Sequence, residues 1–277
     1  MTCTIDYNLD DRPESMIALV RSMHLLFNAE CSWRLDLHAC AYLGPNAGAM
    51  IAATVLHARS RGLAPEVVLP SEPRELVEFC YASALQYYVA ATPFPGVPTR
   101  RPETIPMQVL RQSSFSDPDP FITLLRRHID TDADVEDYLR VCINEAVQNV
   151  QDHAESPIGA IAAARYMSRP REIRIVIVDR GVGIGTTIRR RYPEIPDARA
   201  AISRVMEGGI TAKSRSNNMG VGISNLCAIV QHQLGGRVFI LSENAGVNRQ
   251  PSRRDVCTSL DFPYPGTAVF INVPVEH

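Results

Sequence analysis

"IRIVIVDRGVGIG", residues 173–185, alternates Ile173, Ile175 and Ile177 with Arg174, Val176 and Val178, then breaks into Asp179 and three alternate glycines. The two-residue period predicts a buried strand that ends in a turn. Glycine permits positive φ and close backbone approach, so Gly181, Gly183 and Gly185 could let a flat ring or a phosphate lie against the main chain. Asp-x-Gly-x-Gly is also an ordinary β-turn. Two familiar nucleotide folds are disfavoured. The spacing is not GxGxxG, the acid precedes the glycines instead of following them, and no phosphate loop ending in GK[ST] is present.

Upstream, "INEAVQNVQDHA" (143–154) closes a segment of helical period. Val135, Tyr138, Leu139, Cys142, Ile143, Ala146, Val147 and Val150 recur at steps of three and four, which predicts one apolar stripe facing a core. Glu145, Asn149 and Asp152 fall at i, i+4 and i+7, on a shared strip beside that stripe. Such a strip is either a solvated face or the edge of a cleft. Downstream, "GGITAKSRSNNMGVGISNLCAIVQHQLGG" (208–236) is a polar, glycine-bearing loop running into a helix. Ile223, Leu226, Cys227, Val230 and Leu234 keep helical spacing, and Gly235 and Gly236 mark its end. A glycine pair at a helix start, here Gly220 and Gly222, suits either a softened entry or a polyphosphate, because free N–H groups and the positive dipole end point there.

The chain has 277 residues, 45% hydrophobic and 21% charged, enough for one large or two ordinary domains with real cores. A net charge of -2 supplies no basic field for nucleic acid or an anionic membrane, so neither is an expected partner. Seven scattered cysteines form no CxxC pair or metal spacing and read as reduced core thiols. The N-terminus lacks the pattern of a signal peptide and no run of roughly 18 apolar residues occurs, which predicts a cytoplasmic protein. Seven of the twenty prolines lie between Pro93 and Pro120 and place a linker at 93–106. Before it, "WRLDLHACAYLGPNAGAMIAATVLHARSRGLAPEVVLP" reads as strand, turn, Ala-rich helix closed by Gly62, and strand. After it, helices followed mostly by strands predict an α+β layer in 107–277.

Taken together, ExxxN on a helix, DxGxG after a strand, GxG opening a helix and "GTAVFINVPV" near the end resemble the Bergerat-fold (GHKL) ATP-binding superfamily over residues 107–277. That superfamily joins gyrase, a heat-shock chaperone ATPase, mismatch-repair ATPases and histidine kinases. The resemblance implies a two-layer α/β sandwich holding Mg²⁺ and ATP. Asn149 would be the Mg²⁺ ligand and Glu145 the carboxylate that polarises the attacking water or hydroxyl. Asp179 would accept from the adenine amino group, with Gly181, Gly183 and Thr267 shaping the pocket and Asp152 near it. Residues 208–219 would form the lid, with Lys213, Gly220, Val221 and Gly222 against the phosphates. "INEAVQNVQDHA" with "DRGVGI" is most similar to the anti-sigma-factor kinase branch, where the glutamate serves as base for a protein hydroxyl.

Residues 1–92 are similar to a STAS domain, a small α/β fold of anti-sigma antagonists. Where that family carries an acid and phosphorylatable serines before its helix, this chain has Gly44, Pro45 and Asn46. The regulatory hydroxyl is missing, which implies a docking scaffold. The expected function is a Mg²⁺-dependent ATP-binding protein, a slow ATPase whose lid couples nucleotide state to a protein partner or to a second copy of the chain. A protein serine/threonine kinase and a non-hydrolysing, ATP-gated interaction module are the alternatives.

Overall fold

A computed structural model describes residues 1–90, 101–110, 119–208 and 222–275; the side chains of 142, 145, 148, 149, 151–153 and position 222 lie outside that description. The first part is α/β, as its sequence predicts. Strands β1 (Thr2–Thr4), β2 (Arg34–Asp36) and β3 (Glu66–Val68) pair in parallel in the order β1-β2-β3. They are joined by α1 (Pro13–Phe27) and α2 (Pro45–Ser60), and α3 (Arg74–Ala82) and α4 (Leu85–Val89) follow. Helix α2 is closed by Gly62 at φ +79° and is buried on nearly every face. Its alanines and Gly48 carry so little bulk that it can lie close against a sheet.

That sheet is the second one. β4 (Thr104–Leu110) takes in the last three residues of the segment read as a linker, while 93–100 lie outside the described residues. Then come α5 (Asp119–Arg126), α6 (Ala133–His153), β5 (Ala160–Ser168) and β6 (Arg171–Asp179). Helices α7 (Ile184–Arg191), α8 (Ala198–Glu207) and α9 (Gly222–His232) precede β7 (Arg237–Arg249) and β8 (Val256–Pro274). The five long strands form one antiparallel sheet in the order β4-β5-β6-β8-β7.

The alternation in β6 now has two meanings. Ile173, Ile175 and Ile177 face a core made with α6 and α9, through Ile143, Val147, Leu226 and Val230. Val176 and Val178 face the other way, into a core shared with α1, α2, Phe239 and Phe270. Both faces of the sheet are therefore covered, one by α5, α6 and α9, the other by the N-terminal α/β layer. Helix α2 rests on β5 and β6, and α1 on β8.

Several sequence expectations need correction. On α6, Leu139, Ile143, Ala146, Val147 and Val150 are buried, but Tyr138 is 60% exposed. Glu136 is buried instead, because Arg126 and Thr131 satisfy its carboxylate. Between the glycine turn and Gly208 the chain holds two helices that the sequence reading did not place, α7 and α8. Asp197 caps α8 by accepting from Ala200 N at 2.8 Å, and Gly208 ends it at φ +82°. The thiols are not all core residues: Cys40, Cys80 and Cys227 are buried, Cys31 and Cys257 are exposed, and the described cysteines form no disulfide. Among the described residues, no helix is long and apolar enough to cross a membrane.

Candidate functional site

Strand β6 ends at Asp179, a buried residue (2% exposed) held between the following turn and β8. One carboxylate oxygen, Oδ1, accepts from Gly181 N at 2.8 Å and from Thr267 N at 3.3 Å. Tyr264 Oη donates to the Asp179 carbonyl at 3.1 Å and fixes the strand end from behind. The other oxygen, Oδ2, receives no hydrogen bond from the described residues. Burial pushes the carboxyl up to about 7, against the two N–H donors and the neighbouring Arg180, which pull it down.

The turn is pressed onto the end of α6. Val182 N donates to Ala154 O at 2.8 Å, and a Cβ on Gly181 would sit 1.7 Å from that same carbonyl oxygen. Only glycine fits there. Gly183 (φ +86°) occupies backbone space that L side chains avoid and opens α7 without a cap of its own. The cap comes from β7: Ser242 Oγ accepts from Ile184 N at 3.0 Å, and Glu243 Oε1 accepts from Thr186 N. Ser242 Oγ also donates to Gly266 O at 2.7 Å and lies 3.2 Å from Thr267 Oγ1. Arg189 holds the second oxygen of Glu243 at 2.9 Å. Arg180, next in sequence, points to the opposite side, its guanidinium 4.5 Å above the Phe27 ring; burial lowers its pKa.

Asp179, Gly181, Gly183 and Thr267 are thus brought together, and the backbone of α6 ends against them. Glu145, Asn149 and Asp152 belong to α6, Asn149 about 7.5 Å of helix rise before Ala154; their side chains lie outside the description. Lys213, Gly220 and Val221, with 209–219 of the expected lid, lie outside the described residues, and Gly222 opens α9. Among the described residues no group of three or more acid, histidine or cysteine side chains is arranged to hold a metal.

No family model and no curated protein matches this chain.

Sequence reasoning missed Ser242, Glu243 and Tyr264. The first two sit on β7, which pairs with β8 and not with β6, so no spacing in the sequence links them to the glycine turn. The one available signal was the pair of polar residues that ends the apolar run "VFIL". The run "RRR" (189–191) is absorbed locally: Arg189 by Glu243, Arg190 by Glu155, and Arg191 against the Tyr192 ring.

Proposed function

We propose that the chain is a Mg²⁺-dependent ATP-binding protein and a slow ATPase, with adenine against Asp179 and the phosphates toward α6 and the start of α9. The observation that carries this reading is the half-used carboxylate of Asp179. One oxygen accepts from two main-chain donors, and no donor among the described residues reaches the other, which leaves the acceptor an exocyclic amino group requires. Its position at the end of the strand, beside the helix that bears Glu145 and Asn149, supports the assignment of the phosphate end.

In this reading Asn149 holds Mg²⁺, which supplies charge neutralisation between the phosphates, and Glu145 takes the proton of the attacking water. Nucleotide state would reach a protein partner, or a second copy, through 208–219. Titration of the full chain with Mg·ATP and Mg·GTP tests the base assignment: ATP should bind and GTP should not, and Asp179→Asn should weaken ATP by roughly tenfold or more. Comparable binding of the two nucleotides would refute it. Glu145→Ala should keep ATP but release no phosphate, whereas Asn149→Ala should lose Mg·ATP itself. Following labelled γ-phosphate separates hydrolysis from transfer to protein.

A further inference from the structure

A cleft of about 730 Å³ opens at the other end of β6, between the segment joining β1 to α1, the β5–β6 turn and β7. Arg174 on its wall is five residues before Asp179, roughly 16 Å along the strand, so this is a separate place from the glycine turn. The fold builds the cleft by doubling β7 back on itself. Arg237 and Asn248 both line it, although eleven residues of straight strand would separate them by roughly 36 Å. Glu243 at φ +52° and two register breaks around it bend the strand, and Gly246 then lies against the Phe239 ring, where a Cβ would come within 3.0 Å. Gln231 Nε2 ties the returning end to α9 by donating to Gln250 O at 3.1 Å.

Four arginines from three chain segments line it, Arg12, Arg169, Arg174 and Arg237, together with the acids Asp10 and Glu14. Three are met by protein carboxylates. Arg12 pairs with Asp10, Arg174 with Asp11 at 3.0 Å and Glu172 at 2.6 Å, and Arg237 with Glu172 at 3.3 Å. Arg169 meets no carboxylate among the described residues. Asn248 is also uncommitted: the residue is 9% exposed, and its buried Oδ1 finds no donor among the described residues. A buried acceptor without a partner is costly to leave unmade, so its place at a cleft wall calls for a donor from outside. The volume falls within the about 300–1,000 Å³ of small-molecule sites and exceeds what a lone ion fills.

We propose that this cleft binds a small phosphorylated polyol, its phosphate on Arg169 and the neighbouring guanidinium groups and a hydroxyl donating to Asn248 Oδ1. Phosphate suits arginines that arrive from separate segments, because its oxygens accept in several directions while a carboxylate accepts in one plane. Ribose 5-phosphate is the probe, titrated calorimetrically into the full chain, with citrate, ribose and inorganic phosphate as comparison arms. Ribose 5-phosphate should bind saturably, and each comparison compound should bind at least about tenfold more weakly. Arg169→Glu, at an exposed position, should weaken it at least about tenfold, Asn248→Leu likewise, and Asp179→Asn should leave it unchanged. Citrate binding as tightly would overturn the phosphate assignment. Absence of saturable binding, unchanged binding by Arg169→Glu, or loss in Asp179→Asn would overturn the site.

Discussion

Asp179 shows how one residue can carry both a site and a stability cost. An exposed aspartate ionises near pH 3.9, whereas burial holds this carboxyl at about 7. Between those values the folded chain binds a proton that the unfolded chain has released, so this group's contribution to stability falls as pH rises through the window and is level above it. Asp179→Asn keeps an acceptor oxygen for Gly181 and Thr267 and removes the buried charge. Its stability relative to the unmodified chain should therefore improve between about pH 4 and about pH 8, by on the order of 2–4 kcal/mol. Thermal unfolding of both proteins across that range checks it; parallel curves would show that the carboxylate is not strained. The same variant loses the charged acceptor proposed for adenine, so stability and nucleotide affinity should move in opposite directions. Asp179 and Thr267 were legible as motif residues. That Thr267 supplies a main-chain N–H to Asp179 was not, because 88 residues separate them.

At the scale of elements, glycines distinguish packing from local strain. Gly181→Ala must drive a methyl into the Ala154 carbonyl and push the turn off α6, which should cost more than about 3 kcal/mol. Gly62→Ala has open space around it and only a positive φ to oppose it, so roughly 1 kcal/mol is expected. Chemical denaturation of the two variants side by side gives the difference, and equal losses would remove the clash from the argument. Helices with a cap and a long apolar stripe, such as α6, were readable in the sequence. So was α8 in principle, with Asp197 before it and Gly208 after it, but a short helix after a glycine turn resembles a loop. Strand β5 hid for another reason. "AIAAA" has little intrinsic strand preference, and it is strand because β4 and β6 pair with it on both sides while α2 needs its small side chains.

Across the whole molecule, the N-terminal layer and the large sheet are held by a shared apolar core and by a buried ionic clasp. Asp11 accepts from Asn46 N at 3.0 Å and Ala47 N at 3.2 Å, so it caps α2 from 35 residues away, and it pairs with Arg174 of β6. A Cβ on Gly44 would fall 1.9 Å from its carboxylate, which explains the glycine at that helix start. Burial raises the Asp11 carboxyl to about 6, with Arg174 and the helix N–H groups pulling it down. Asp11→Ala should cost about 3–5 kcal/mol, since it strips Arg174 of a buried partner and uncaps α2; Asp11→Ala with Arg174→Met should recover part of that loss. Denaturant unfolding of both variants measures it. Residues 101–277 alone would expose Val176, Val178, Phe239, Leu241 and Phe270. That fragment should associate or precipitate, as size-exclusion chromatography would report, and a soluble monomer would contradict the shared core.

By itself the sequence determined the α+β character, the long helix that closes within 143–154, the strand that stops at Asp179 and the strand–helix–strand order of residues 33–70. These follow from periodicity and from glycine and proline chemistry, which act between residues a few positions apart. Only the tertiary structure decided that the second face of the sheet is covered, that an aspartate before α1 caps α2, that Ser242 and Glu243 hold the glycine turn, and that β7 bends so that Arg237 and Asn248 line one cleft. Each of these joins residues distant in the chain, and such contacts are fixed by the requirement to cover apolar faces and pair buried polar groups over the whole molecule, which no local pattern records.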